Sequence, residues 1–151
     1  MRRARPALIA GATALALGAG PAASAATGFD WDELGARFCE VSTSGSLAEM
    51  RPLLTDALVQ EITFAFARAG EAPPPTLFQT YSDPVPVCRA TTRNAALVEI
   101  VRSGARGTPA WTEYLVVVPE TDGTTRIDDV LFATRRSDTL RARLKALAGG
   151  G

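Results

Sequence analysis

The apolar residues of this chain change their period near Pro86. Before it they recur every three or four positions, and after it they alternate. Helical and strand patterns that follow one another, rather than interleave, predict an α+β fold. N-terminal helices pack on a strongly curved antiparallel sheet of about four strands, and a C-terminal helix closes the chain.

The helical half carries its own punctuation. Trp31, Leu34 and Phe38 recur at helical spacing within Phe29 to Val41, and Asp30, Asp32 and Glu33 crowd the start, where a helix dipole favours acids. Ser46-Leu47-Ala48-Glu49 is a capping box, and Pro52 ends or bends the helix it opens. Thr55 caps a third helix with Leu58, Ile62, Ala65, Phe66 and Ala69 on its apolar stripe, and Gly70 supplies a left-handed stop. The prolines at 73–75, 84 and 86 keep the approach to the sheet extended.

Strands are expected at 87–92, 96–103, 111–118 and 124–134. Arg93-Asn94 turns the first pair, Gly104 to Pro109 makes a longer connection, and Glu120-Thr121-Asp122-Gly123 is a hairpin turn. In the third strand Tyr114, Val116 and Val118 share one face, and Trp111, Glu113, Leu115 and Val117 share the other. Both faces carry apolar side chains, so one is expected to meet the helices and the other to line a cavity or interface. Ser137 is the expected cap of the last helix, docked by Leu140, Leu144 and Leu147.

Arg2, Arg3 and Arg5, the apolar run from Ala7 to Ala19 and the small residues Ala23-Ser24-Ala25 read as a secretory signal peptide, with a retained anchor helix as the competing reading. The expected organisation is a signal peptide at 1–25, one domain at 26–148 and a flexible tail at 149–151. Export puts the protein in the periplasm or outside the cell, without stable membrane insertion after cleavage. The route of export stays open, because the Arg2-Arg3 pair lacks the surroundings of a complete twin-arginine signal.

Loss of those three arginines leaves 13 of the 16 basic residues against 16 acidic ones, a net of −3. That balance argues against a nucleic-acid partner. The one basic cluster, Arg135, Arg136, Arg141, Arg143 and Lys145, reads as a solvated helix face whose cations complement a helix C-terminus. Cys39 and Cys88, two cysteines in an exported chain, are expected to form a disulfide. No CxxC pair and no histidine is present, so no metal or cofactor is expected.

Arg126-Ile127-Asp128-Asp129-Val130-Leu131-Phe132, entered from Asp122-Gly123, resembles the last-strand "W-R-I-D-D-I" pattern of small exported bacterial domains with the nuclear-transport-factor-like cone fold. Trp31 to Cys39 and Val87-Cys88 fit that group as well. Thr125 departs from it, standing where an aromatic is common. The resemblance implies a cone of helices wrapped by a bent sheet, with a pocket at its wide end. It implies no single activity, because this architecture hosts isomerases, cyclases, dehydratases and non-catalytic proteins.

Asp128 and Asp129 are the chemically interesting pair, since neighbouring strand residues point to opposite faces and one is expected to look into the concave side. A carboxylate in an apolar pocket can act as acid or base, with Glu99 or Glu113 as partner and Tyr81 or Tyr114 as proton donor. The more ordinary expectation is structural, with one aspartate bonded to backbone or an arginine and the other solvated. Trp111 and Tyr114 are candidates for stacking a ligand, although aromatic residues on a half-buried strand are more often core. Arg89 and Arg93 could clamp an anion or pair with Glu99 or Glu113. The polar run Ser42-Thr43-Ser44 with Ser46 reads as a loop and a cap.

Three functional classes follow. The leading one is a non-catalytic exported binding module for a small molecule, a peptide or a protein partner. The second is an isomerase or cyclase using Asp128 or Asp129, with Tyr114 as a further catalytic candidate. The third is an envelope inhibitor or immunity-like protein. Trp111, Glu113, Glu99 and Arg89 are the candidate ligand contacts, and a homodimer through the outer sheet face is a further expectation.

Overall fold

The computed structural model describes residues 30–44, 46–83, 85–104 and 111–150. The expected leader at 1–25 and nearly all of the 104–109 connection lie outside them. Among the described residues no helix is long and apolar enough to cross a membrane.

Three helices come first, each started by the side chain its sequence supplies. α1 spans Trp31–Ser44, and Asp30 Oδ1 accepts the N–H of Glu33 at 2.8 Å. α2 is the short helix Leu47–Met50, with Ser46 Oγ accepting from Glu49 N. It passes into a single 3-10 turn, Arg51–Leu53, at the expected Pro52. α3 spans Asp56–Ala69. Thr55 caps it by accepting from Leu58 N at 3.2 Å, and Gly70, at φ 69°, closes it in the left-handed region that a Cβ would strain.

Four antiparallel strands follow in the spatial order of the chain: β1 (Val87–Asn94), β2 (Leu97–Ser103), β3 (Trp111–Pro119) and β4 (Thr125–Leu131). The Glu120–Gly123 turn forms as expected, with Gly123 at φ 80°. The first hairpin turns later than expected. Asn94 still pairs with Leu97, and its Oδ1 accepts Ala96 N at 2.8 Å, so the corner falls on Ala95-Ala96.

β4 ends at Leu131 rather than Thr134. Phe132 N donates to Asp138 O at 2.9 Å and Leu131 bridges Thr139, which folds the chain back before the last helix. That helix, α4 (Leu140–Gly149), is therefore capped by Thr139 rather than Ser137, with Thr139 Oγ1 accepting from Ala142 N at 3.1 Å. The basic cluster is displaced as well. Arg141 and Arg143 stand in the first turn of α4, where the dipole disfavours cations, and ion pairs compensate.

One core joins α1, α3 and α4 to the inner sheet face, through Leu34, Phe38, Leu58, Ile62, Val98, Ile100, Leu115, Ile127, Leu140 and others. α1 lies so close to the first hairpin that a Cβ on Gly35 would come within 2.6 Å of Ala90 Cβ and 2.9 Å of Val98 Cγ1. Four residues later Cys39 is joined to Cys88 of β1. The expected disulfide thus ties α1 to the sheet edge, and it fits a compartment outside the reducing cytoplasm.

Candidate functional site

Strand alternation places Arg102 on the same face as Val98 and Ile100, and Glu113 on the same face as Leu115 and Val117. That face is the core. Arg102 stands opposite Trp111 and Glu113 opposite Ile100, so their side chains meet diagonally across β2 and β3. Arg102 Nε donates to Glu113 Oε2 at 2.6 Å, and both side chains are 0% exposed.

Desolvating two charges costs more than their attraction returns unless the remaining polar atoms are also satisfied. Here they are engaged. Arg102 Nη1 donates to Ser42 Oγ and Nη2 to Phe78 O, each at 3.2 Å, and the guanidinium lies 5.6 Å from the Phe38 ring centroid. Glu113 Oε1 accepts from Trp111 Nε1 at 3.0 Å and from Thr80 N. Ser42, expected to be only loop, links this pair to the carbonyl of Cys39.

The segment 76–83 crosses this end of the sheet as a strap without regular secondary structure. Arg143 Nη1 donates to Gln79 O and Nη2 to Thr80 O, each at 3.1 Å, and Ala133 N donates to Thr80 Oγ1 at 3.0 Å. Arg143 also stacks 3.7 Å over Phe132 and pairs with Asp138. That pairing, with a hydrogen bond from Thr134, holds the Asp138 carboxyl below its ordinary pKa against the opposing effect of burial. Tyr81, half exposed at the strap's end, meets Trp111 edge-on at 4.9 Å.

Asp128 and Asp129 take a different place from the one alternation predicts. Val116 pairs with Asp129 and Val117 with Ile127, so Asp128 is the extra residue of a β-bulge. The bulge makes Ile127 and Val130 the inward positions, and neither aspartate takes one. Asp128 Oδ1 accepts from Thr55 Oγ1 at 2.9 Å and Arg141 Nη2 at 2.6 Å, which joins the start of α3 to α4. Asp129 Oδ1 accepts Arg141 N at 3.0 Å and Val130 N at 2.8 Å. Arg141 also meets Glu61. Burial lowers the Arg141 pKa, yet its hydrogen bond to Asp128 and the attraction of Asp128 and Glu61 leave it raised.

Glu99 and Tyr114 stand on the outer face. Tyr114 Oη donates to Glu99 Oε2 at 3.3 Å, and Arg93 pairs with Glu99, raising the Arg93 pKa. The suggested pairing of an arginine with Glu113 across the sheet falls to Arg102, while Arg89 is exposed on β1. The structure thus brings Glu113 and Trp111 together, and separately Glu99 and Tyr114. It joins neither pair to Asp128 or Asp129.

Beside Tyr114, the loop after β4 rises over the outer face and forms an open groove of about 640 Å³. Leu97, Tyr114 and Leu131 make its apolar floor, and Arg135 and Arg136, both exposed, stand at its rim. Among the described residues no group of three or more Cys, Asp or Glu side chains is placed to hold a metal ion. Sequence reasoning missed Arg102, whose signal was its place two residues beyond Ile100 on an alternating strand. It missed the strap contacts of Arg143 too, for which no local signal exists. No protein-family model, curated protein or solved structure matches this chain.

Proposed function

We propose that the protein is a non-catalytic binding domain, periplasmic or secreted, whose outer sheet face takes an anionic ligand with an apolar body. The observation that carries this reading is the groove over Leu97, Tyr114 and Leu131 with Arg135 and Arg136 at its mouth. Two guanidinium groups beside an apolar floor, in a chain of net charge −3 once the leader is removed, suit a carboxylate or sulfonate attached to a hydrophobic group. The engagement of Asp128, Asp129 and Glu113 by cations and backbone N–H groups supports binding over acid–base chemistry. The signal-like leader and the disulfide support export. The cone-domain resemblance, a further part of the proposal, is compatible with a binding role.

The test is titration of the folded, oxidised protein with 8-anilino-1-naphthalenesulfonate, an anionic aromatic probe. Binding should weaken about tenfold or more in Arg135→Glu/Arg136→Glu and in Tyr114→Ala, as expected for the loss of a central contact. Equal binding in all three proteins would sink the reading. A native mass of two chains, with probe binding lost on dimerisation, would give this face to a second copy instead.

A further inference from the structure

The geometry points to a second site, at the end of the sheet where β2 stops and β3 begins: the strap there acts as an internal peptide ligand. An external peptide carrying an aromatic residue and, two positions on, a hydroxyl residue would displace it. Charged side chains from three elements converge on the single tripeptide Phe78-Gln79-Thr80. Arg102 of β2 donates to Phe78 O, Glu113 of β3 accepts Thr80 N, and Arg143 of α4 donates to Gln79 O and Thr80 O.

All four contacts reach backbone atoms, which every peptide possesses. Leu77 N and Gln79 N bond within the strap's own turns, to Pro74 O and Thr76 O, but these four groups are met by side chains of the surrounding elements, as when a domain holds a bound peptide. Selectivity comes from two further contacts. The Phe78 ring packs edge-on against Phe38, 6.3 Å between centroids, and Thr80 Oγ1 accepts Ala133 N. These define the aromatic and hydroxyl positions of the ligand class.

Gln79, between them, supplies an independent observation. Its side chain is buried, at 3% exposure, and its Oε1 accepts no hydrogen bond. A buried acceptor left unpaired destabilises the state that holds it, so the strap's own middle residue fits the site imperfectly. Pro73, Pro74 and Pro75 on one side and Pro86 on the other limit the disorder the strap gains on leaving, which keeps displacement local.

The experiment uses the full oxidised protein and the synthetic peptide acetyl-Thr-Leu-Phe-Gln-Thr-Tyr-amide, which copies residues 76–81. Saturable one-to-one binding is expected, with hydrogen exchange at Phe78 to Tyr81 of the protein accelerated at least about tenfold at saturation while α3 is unaffected. The same peptide with alanine for its phenylalanine should not bind. Gln79→Met, which removes the orphan acceptor at similar volume, should slow strap exchange roughly tenfold and weaken the peptide by a similar factor. Strap exchange unchanged at millimolar peptide, or indifferent to Gln79→Met, would show that the strap is fixed core. A concentration-dependent dimer with exchanged straps would overturn the proposal in favour of a second copy as the occupant.

Discussion

Arg102 and Glu113 meet at 2.6 Å at one end of the sheet with neither side chain exposed, and between them they hold α1, β3 and the strap in one hydrogen-bonded unit. Removing one partner leaves the other charged and buried. Arg102→Ala or Glu113→Ala should each cost about 3–5 kcal/mol, whereas Arg102→Met/Glu113→Leu should cost less than either single change. Urea denaturation of the four proteins measures this, and a double variant weaker than both singles would contradict it.

At Gly35 α1 lies close against the first hairpin of the sheet. Alanine is the better helix former by about 1 kcal/mol, yet its Cβ would enter the space held by Ala90 and Val98. Gly35→Ala is expected to destabilise by about 1–3 kcal/mol, the usual range for overpacking. Thermal unfolding decides, and an increase in Tm would show that the hairpin yields easily.

The Cys39–Cys88 bridge closes a loop of sequence separation 49. On the chain-entropy account its removal should cost about 4 kcal/mol. Cys39→Ala/Cys88→Ala compared with the oxidised protein in urea should show that loss. It should also show a steeper dependence on denaturant, because the open unfolded chain exposes more surface.

Asp138 links stability to acid. Its hydrogen bond with Arg143, the largest cause, holds its folded-state pKa below the unfolded value. The contribution is therefore complete above the unfolded carboxylate value of about 3.9 and is lost as pH falls through the lower folded value. Asp138→Asn should be less stable than the parent at pH 7, with the difference closing towards pH 2. A difference independent of pH would place the effect in packing rather than charge. Asp122, depressed by its hydrogen bonds from Thr124, has the same sign and is exposed.

Asp128 and Asp129 join β4 to α3 and α4, so their replacement should act on stability. Asp128→Asn/Asp129→Asn is expected to lose about 1–3 kcal/mol, the lower part of the range applying because the Asp128 side chain is 33% exposed. Hydrogen exchange should locate the loosening at the first turns of α3 and α4. Full stability in the double variant would return both carboxylates to candidacy as a reactive pair.

Much of the fold was legible in the residue order because its signals act within one turn of chain. Ser46 and Thr55 each cap a helix three residues ahead, and Gly70 and Gly123 supply the positive φ their turns require. Burial periodicity set the helices and strands for the same reason, and two cysteines in the whole chain left one pairing. Where a local signal was outbid by a distant partner, the reading slipped. Ser137 yielded the cap to Thr139 because Asp138 O is taken by Phe132 N, and the clean alternation expected at Asp128-Asp129 was broken by a bulge.

The candidate sites belong to the tertiary structure. Arg102 reaches Ser42 across a separation of 60 residues, and Arg143 reaches Gln79 across 64. A charged side chain carries no mark of which distant backbone atom it will meet; only packing brings the two together and removes the water that would otherwise satisfy both. By itself the sequence determined the helices, the strands and the covalent bridge, through hydrogen bonds and burial that each segment seeks locally. The folded chain alone decided which charges became the interior of the protein and which arginines were left at the rim of its outer face.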